Sequence, residues 1–368
     1  MRMPNNVVAF AGAQTDIYEG FADYFNHYKA INGKVGVEYD KTLTFAEKET
    51  KIHESILKEA KRLAGVENFA GISPEMMLTN PTYKWALFAV VSAMVDMILP
   101  ETIIDSVGLY TEVRVGGFGD NFLFEIKPRD LFVVSKGAKA KKHAYAQKQF
   151  NGAVTITPEE RDIAVEVSLY RVLSGKENLA EFAMKAARSM ETEMTKDCYT
   201  AFATAMNSLP YMATPDGTEL RIAGFTQDTA VALAQKVTAY NAGAKAIFLG
   251  TQVAVSKILP NATDNYRINI ESDYVKTGYI RNFMGTDIMV MEQVADWQNP
   301  YKVLLDDKKI YVLSPSAGKF VKLCIEGSTL TFADMADSNA NLTQKTTMKK
   351  FWGLGIASSA IAGEIELA

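Results

Sequence analysis

Residues able to do chemistry are few and scattered in this sequence. The three histidines, His27, His53 and His143, stand far from the two cysteines, Cys198 and Cys324. A zinc site needs such ligands at short spacing, and no Cys-x-x-Cys pair or Cys/His cluster supplies it. Asp306 and Asp307 form a carboxylate pair, but Lys308 and Lys309 follow directly, so a solvated charged turn accounts for them. Glu191 and Glu193 lie two apart on an expected helix and do not face each other. GGFGDN, Gly116–Asn121, has the glycine content of a phosphate loop. It lacks the full Gly-x-Gly-x-x-Gly spacing, and the strand-like FLFEIK follows where a helix N-terminus is needed. SPSAGK, Ser314–Lys319, lacks the upstream glycine and the following helix of a P-loop. No nucleophile elbow and no His-Glu-x-x-His is present. The sequence offers no catalytic, cofactor-binding or metal-ligating set, and the expectation is a protein that is not an enzyme.

The elements that carry these residues are those of a large, core-forming chain. Its 368 residues are enough for several domains, and 48% of them are apolar. The formal net charge of −4 excludes a protein basic over its whole surface. One local feature is strongly basic: SKGAKAKKHAYAQKQFNG, Ser135–Gly152, holds five lysines, one histidine and no acid. The cysteines read as two buried thiols of a reducing compartment. MRMPNNVVAFAGAQ has too short an apolar run for a signal peptide. WALFAVVSAMVDMILP, Trp85–Pro100, falls short of the roughly 20 residues that cross a bilayer, and Asp96 interrupts it. It reads as a buried helix, with no membrane partner.

Residues 1–40 mix aromatics with polar residues and suggest an extended arm. Thr44 and Glu47 fit a capping box that opens a helix to about Ala64. Trp85–Leu99 is a second helix, stopped by Pro100. From Val107 to Val172 β-branched and aromatic runs alternate with turns: VGLYTEVRV, FLFEIK, LFVVSK, QFNGAVTIT and DIAVEVSLYRV. The lysine-rich stretch sits between strands that run out and back, so it is the tip of a long β-ribbon. Two strands alone are marginal in water, and such a ribbon must lie on its own chain or on another copy. Leu179, Phe182, Ala183, Ala186, Met190, Met194, Cys198, Phe202, Ala205 and Leu209 form one stripe on a helix spanning 177–209. From about Thr226 a compact α/β unit follows, and TTMKKFWGLGIASSAIAGEIEL closes the chain as a long strand-like segment whose glycines suggest kinks.

This order of elements resembles the major capsid proteins of tailed bacteriophages, the Hong Kong 97-like fold. The resemblance implies an α+β chain divided as follows: 1–80 N-terminal arm and helix, 81–115 first part of a peripheral domain, 116–157 extended β-ribbon loop, 158–225 peripheral domain with its spine helix, 226–321 axial domain, and 322–368 return strands of the peripheral domain. Gly116, Gly117 and Gly119 become the ribbon hinge. Lys136, Lys139, Lys141, Lys142 and His143 at the tip become contacts to acids on the wet side of a neighbour's spine helix, Glu181, Glu191 and Glu193; contact with DNA, which Tyr145 and Phe150 leave open, is the rival reading. Some members cross-link this loop covalently through a lysine and an asparagine. The asparagine and its assisting glutamate find no match here, so non-covalent contact is expected. No proteolytic removal of the N-terminal segment is expected either. The implied function is a shell of hexamers and pentamers around double-stranded phage DNA, made in the host cytoplasm and located in the virion. Its partners would be other copies, a portal, scaffolding or decoration proteins, and non-specific DNA on the inner face; no cofactor is implied. An encapsulin-like compartment and an α/β enzyme with a scattered site are the alternatives.

Overall fold

The computed structural model describes residues 15–32, 37–66, 80–128, 151–208, 220–260, 274–296, 302–333 and 343–367, with isolated positions between 132 and 149. Three helices come first: α1 (Thr15–Ile31), α2 (Phe45–Leu63) and α3 (Pro81–Val107). Strands β1 (Thr111–Gly116), β2 (Phe122–Ile126), β3 (Gly152–Ile156) and β4 (Glu159–Ser168) follow, then the single turn α4 (Leu169–Leu173) and the long helix α5 (Leu179–Ser208). The second half holds β5 (Arg221–Ala223), α6 (Gln227–Tyr240), β6 (Ile247–Thr251), α7 (Gln252–Val255), β7 (Asn282–Phe283), β8 (Thr286–Met291), β9 (Ala295–Asp296), β10 (Lys302–Val303) and β11 (Lys309–Leu313). It ends with β12 (Val321–Ala333), β13 (Thr343–Ile356) and β14 (Gly363–Glu366).

Two sheets organise two cores. One has the order β1-β12-β13-β4 and the other β5-β14-β11-β6-β8-β7. Helices α1, α2, α3 and α5 share a continuous core with the four-stranded sheet, while α6 and the buried strand β6 help fill a second core on the six-stranded sheet. Helix α5 is about 45 Å long at 1.5 Å per residue. Its expected stripe is buried from Leu179 to Ala205, with Phe182 at the edge; Leu209 lies outside the described residues. The capping box of α2 is present, with Glu47 N–H donating to Thr44 Oγ1 and Thr44 N–H donating to the Glu47 carboxylate.

Several expectations are corrected. Residues 15–31 form a helix, not an extended arm, because Tyr18, Phe21 and Phe25 recur at helical spacing and bury one face. Residues 1–14 lie outside the described residues. Helix α3 continues through Pro100 to Val107. Proline removes one donor, but Ile103 and Val107 beyond it are fully packed, and that burial outweighs the lost hydrogen bond. The helix is therefore long and apolar enough to cross a membrane by length and composition, yet 71% of its most apolar window is buried in this fold. Asp96 within it is buried too. It accepts from Lys350 Nζ (2.6 Å) and from Thr329 N–H (2.6 Å) and Oγ1–H (2.5 Å). Leu169–Val172 coil into α4 instead of extending β4, since the partner strand β13 begins at Thr343, opposite Ser168. Of LFVVSK only Phe132 and Val134 are described, and neither is in a strand. Two sheet memberships differ from the expected division. Strand β14, placed with the return strands, pairs with β11 and β5 in the six-stranded sheet, and β5 itself precedes the expected boundary at 226.

Candidate functional site

The ribbon leaves the body as β2 and β3, paired antiparallel from Phe122↔Ile156 to Ile126↔Gly152. Alternation sends Phe122 and Phe124 inward, where they join Ile156 and Cys324 in a small separate core. The root of the ribbon thus rests on its own chain's sheet. Strand β13 makes this possible. A Cβ at Gly355 would lie 2.6 Å from Ile156 Cδ1, and one at Gly353 would lie 2.7 Å from the Thr157 carbonyl oxygen. These glycines provide close approach in an unbroken strand, not the kinks their presence suggests. The Arg114 guanidinium lies 4.5 Å from the centre of the Phe124 ring, and Ser359 Oγ donates to the Lys127 carbonyl at 2.7 Å.

The expected hinge glycines sit where β1 turns into β2. Only Gly119 takes a left-handed conformation, at φ +80°. Its N–H donates to Glu326 Oε1 at 2.6 Å, and the Gly117 N–H donates to the Asp120 carboxylate. Phe118 sits edge-on to Phe351, with ring centres 6.0 Å apart. The loop is tied to the sheet at several points, which opposes a freely swinging hinge at Gly116, Gly117 and Gly119.

The tip residues Lys136, Lys139, Lys141, Lys142 and His143 lie outside the described residues. Of the described residues here, Leu123 is 42% exposed beside the exposed Glu125, and Phe132 and Val134 are 59% and 93% exposed. The acids expected to receive the tip do not form one patch. Glu181 pairs with Lys185 at 2.7 Å, and Glu193 approaches Lys196 at 3.6 Å. Twelve residues separate Glu181 from Glu193, about 18 Å along the axis. Glu191 is half-buried and lines a cavity of about 210 Å³ with Tyr110, Thr195 and Glu292.

Sequence reasoning missed how the N-terminus of α5 is held. The Leu179 N–H donates to His53 Nδ1 at 3.1 Å, and Asn178 Nδ2 donates to Glu49 Oε1 at 2.8 Å. His53 on α2 thus accepts one of the free N–H groups at the start of α5, 126 positions later, while Glu49 holds the side chain of Asn178, whose own Oδ1 accepts the Ala180 N–H at 2.9 Å. Burial pushes the His53 pKa down, with the Glu54 carboxylate opposing it. The signal was the i, i+4 spacing of Glu49 and His53, which local capping rules cannot connect to Asn178. Both cysteines are buried and unpaired, and burial pushes the Cys198 thiol up to about 12. Among the described residues no group of three or more His, Cys, Asp or Glu side chains could hold a metal ion.

The described residues combine two sheets, a long helix and the paired strands β2 and β3. A family model described as "SPbeta prophage-derived putative capsid protein YonB" matches residues 32–365. The chain belongs to this capsid protein family. Its element order is the one that the Hong Kong 97-like resemblance implies. No curated protein matches the chain. Similar solved structures include the asymmetric unit of the bacteriophage PhiM1 mature capsid, at 9% identity and a TM-score of 0.48, over 70% of this chain and 86% of that one. The capsid of cyanophage P-SCSP1u matches at 13% identity and a TM-score of 0.46, over 71% and 86%. The capsid of a native GTA particle matches at 13% identity and a TM-score of 0.45, over 73% and 90%.

Proposed function

We propose that copies of this capsid-family chain assemble into hexamers and pentamers of a closed icosahedral or prolate shell around double-stranded phage DNA. The observation that carries the proposal is the match of residues 32–365 to a capsid protein family. Leu123, Phe132 and Val134 are also left in water by a single copy, where a neighbour can cover them. The root rests on the chain's own sheet, so the demand for a neighbour falls on the distal part. There the lysines at 136, 139, 141 and 142 set register against a neighbour's acids more than affinity. Many modest contacts per copy add up through multivalency. The virion is the site of action, assembly occurs in the host cytoplasm, and a portal with scaffolding or decoration proteins completes the particle.

Electron microscopy of the purified protein tests this. Closed shells of uniform size are expected, with absorbance at 260 nm exceeding protein alone when they are recovered from an infected or induced host. A small discrete oligomer would refute the shell. Nucleic-acid-free shells around a protein cargo would shift the function to a compartment.

A further inference from the structure

Between the end of β2, the turn 316–319 and the segment 357–359 lies an open cavity of about 430 Å³. That volume is in the range of about 300–1,000 Å³ typical of ligand sites. Its floor is apolar, with Ala317 and Ala357 buried. Its walls carry Lys127, Lys319, Lys322, Glu112 and Glu125.

The charges do not cancel locally. The Lys322 ammonium is committed to Glu112 at 2.6 Å, and Arg114 approaches the same carboxylate at 3.0 Å. Burial alone would raise the Glu112 carboxyl, but the hydrogen bonds and charges of Lys322 and Arg114 bring it below its ordinary value. Glu112 is thus already ionised and shared. Lys319 is half-buried and has no hydrogen bond or ion pair among the described residues. Burial holds its ammonium below the ordinary pKa, with Glu112 opposing and Lys322 adding to the fall. Glu125, the other carboxylate, is exposed at the rim on the outward side of β2 and does not reach Lys319. A half-buried ammonium that faces an open cavity without a partner gains a charge-assisted hydrogen bond from an incoming carboxylate.

We infer that this cavity receives a carboxylate side chain of a second copy of the chain, with Lys319 as its ion-pair partner. The inference rests on the shell assembly proposed above and names one of its contacts. Two observations favour a second copy over a free anion. The cavity is walled by residues 125–128 at the root of the ribbon, the element on which the proposed contact between copies falls. A second copy also presents exposed carboxylates, among them Asp162, Glu166 and Asp228.

The test uses shells assembled from equal amounts of ¹⁵N-labelled and unlabelled chain, treated with a water-soluble carbodiimide. The reagent joins an amine to a carboxylate in contact as an amide and takes up the water released. Mass spectrometry of the digest should find Lys319 joined to an acidic peptide, with mixed-isotope pairs showing that the partner is another copy. Lys319→Arg should abolish that cross-link yet still form shells. Lys319→Glu should lower shell yield about tenfold or more, as expected for losing a desolvated charge pair. Lys319 joined only to its own Glu125 or Glu112, or left unmodified in intact shells, would overturn the inference while leaving the shell standing. Failure of the unmodified chain to form any particle would overturn the shell first.

Discussion

Replacing His53 probes the capping of the long helix most directly. His53 Nδ1 accepts the Leu179 N–H only while that nitrogen is unprotonated. Losing a capping acceptor costs about 0.5–2 kcal/mol. His53→Ala should therefore loosen the first turn of α5 at pH 7.5, raising amide exchange in the peptide from Asn178 to Phe182 by about 5–30-fold at the upper end of that range. His53→Asn keeps an acceptor at the δ position without a titrating proton, and should restore most of the protection. In the unmodified chain the folded pKa of His53 is lowered from 6.5, burial being the cause. The unfolded or opened state then binds more protons over the interval below 6.5. Stability from the neutral histidine is fully present above that value and is lost as pH falls through the folded pKa. Glu49 and Glu54 on α2 and Glu181 on the first turn of α5 bring negative charge to this corner and limit the loss. Protection of residues 178–182, corrected for intrinsic exchange, should fall between pH 7.5 and 5 in the unmodified chain and stay level in His53→Asn. Equal pH dependence in both would refute the role given to His53.

Three further outcomes are expected. Gly355→Ala should destabilise the protein by about 1–3 kcal/mol through overpacking against Ile156, and Ile156→Ala should relieve that loss in the double variant, as read by thermal melting. Asp96→Ala should cost about 3–5 kcal/mol in denaturant melts because it strands the buried Lys350 ammonium, whereas Asp96→Ala with Lys350→Met should cost clearly less. Changing Lys139, Lys141 and Lys142 together to Glu should impair particle formation at low salt, and less so where screening shortens charge interactions to about 3 Å at 1 M salt; normal assembly at low salt would remove charge from the ribbon's role.

Much of this architecture was legible in residue spacing. The stripe from Leu179 to Ala205 and the Thr44/Glu47 box encode their helices locally, and local rules found them. The errors arose where distant packing overrides local preference. Pro100 reads as a stop, yet Ile103 and Val107 are held by the core on the far side of it. The extended reading of α1 arose otherwise: Tyr18, Phe21, Tyr24, Phe25 and Tyr28 step by three or four residues onto the face that is buried, a helical period the sequence itself carries. The long-range polar contacts were the least legible. Asp96 meets Lys350 across 254 positions, and His53 meets Leu179 across 126, separations that no pattern in one sequence connects.

The strand orders also govern when a newly made copy becomes competent. In one sheet β12 and β13 separate β1 from β4, and in the other β14 lies between β5 and β11. Both sheets therefore keep an unfilled place between earlier strands until these later ones are made. The first closes only after residue 356 has emerged from the ribosome, and the second only after residue 366. Pairing across such separations is slow. A copy made only as far as β13 shows its sisters an unfinished second sheet, so its contact surfaces are complete only once residue 366 is in place.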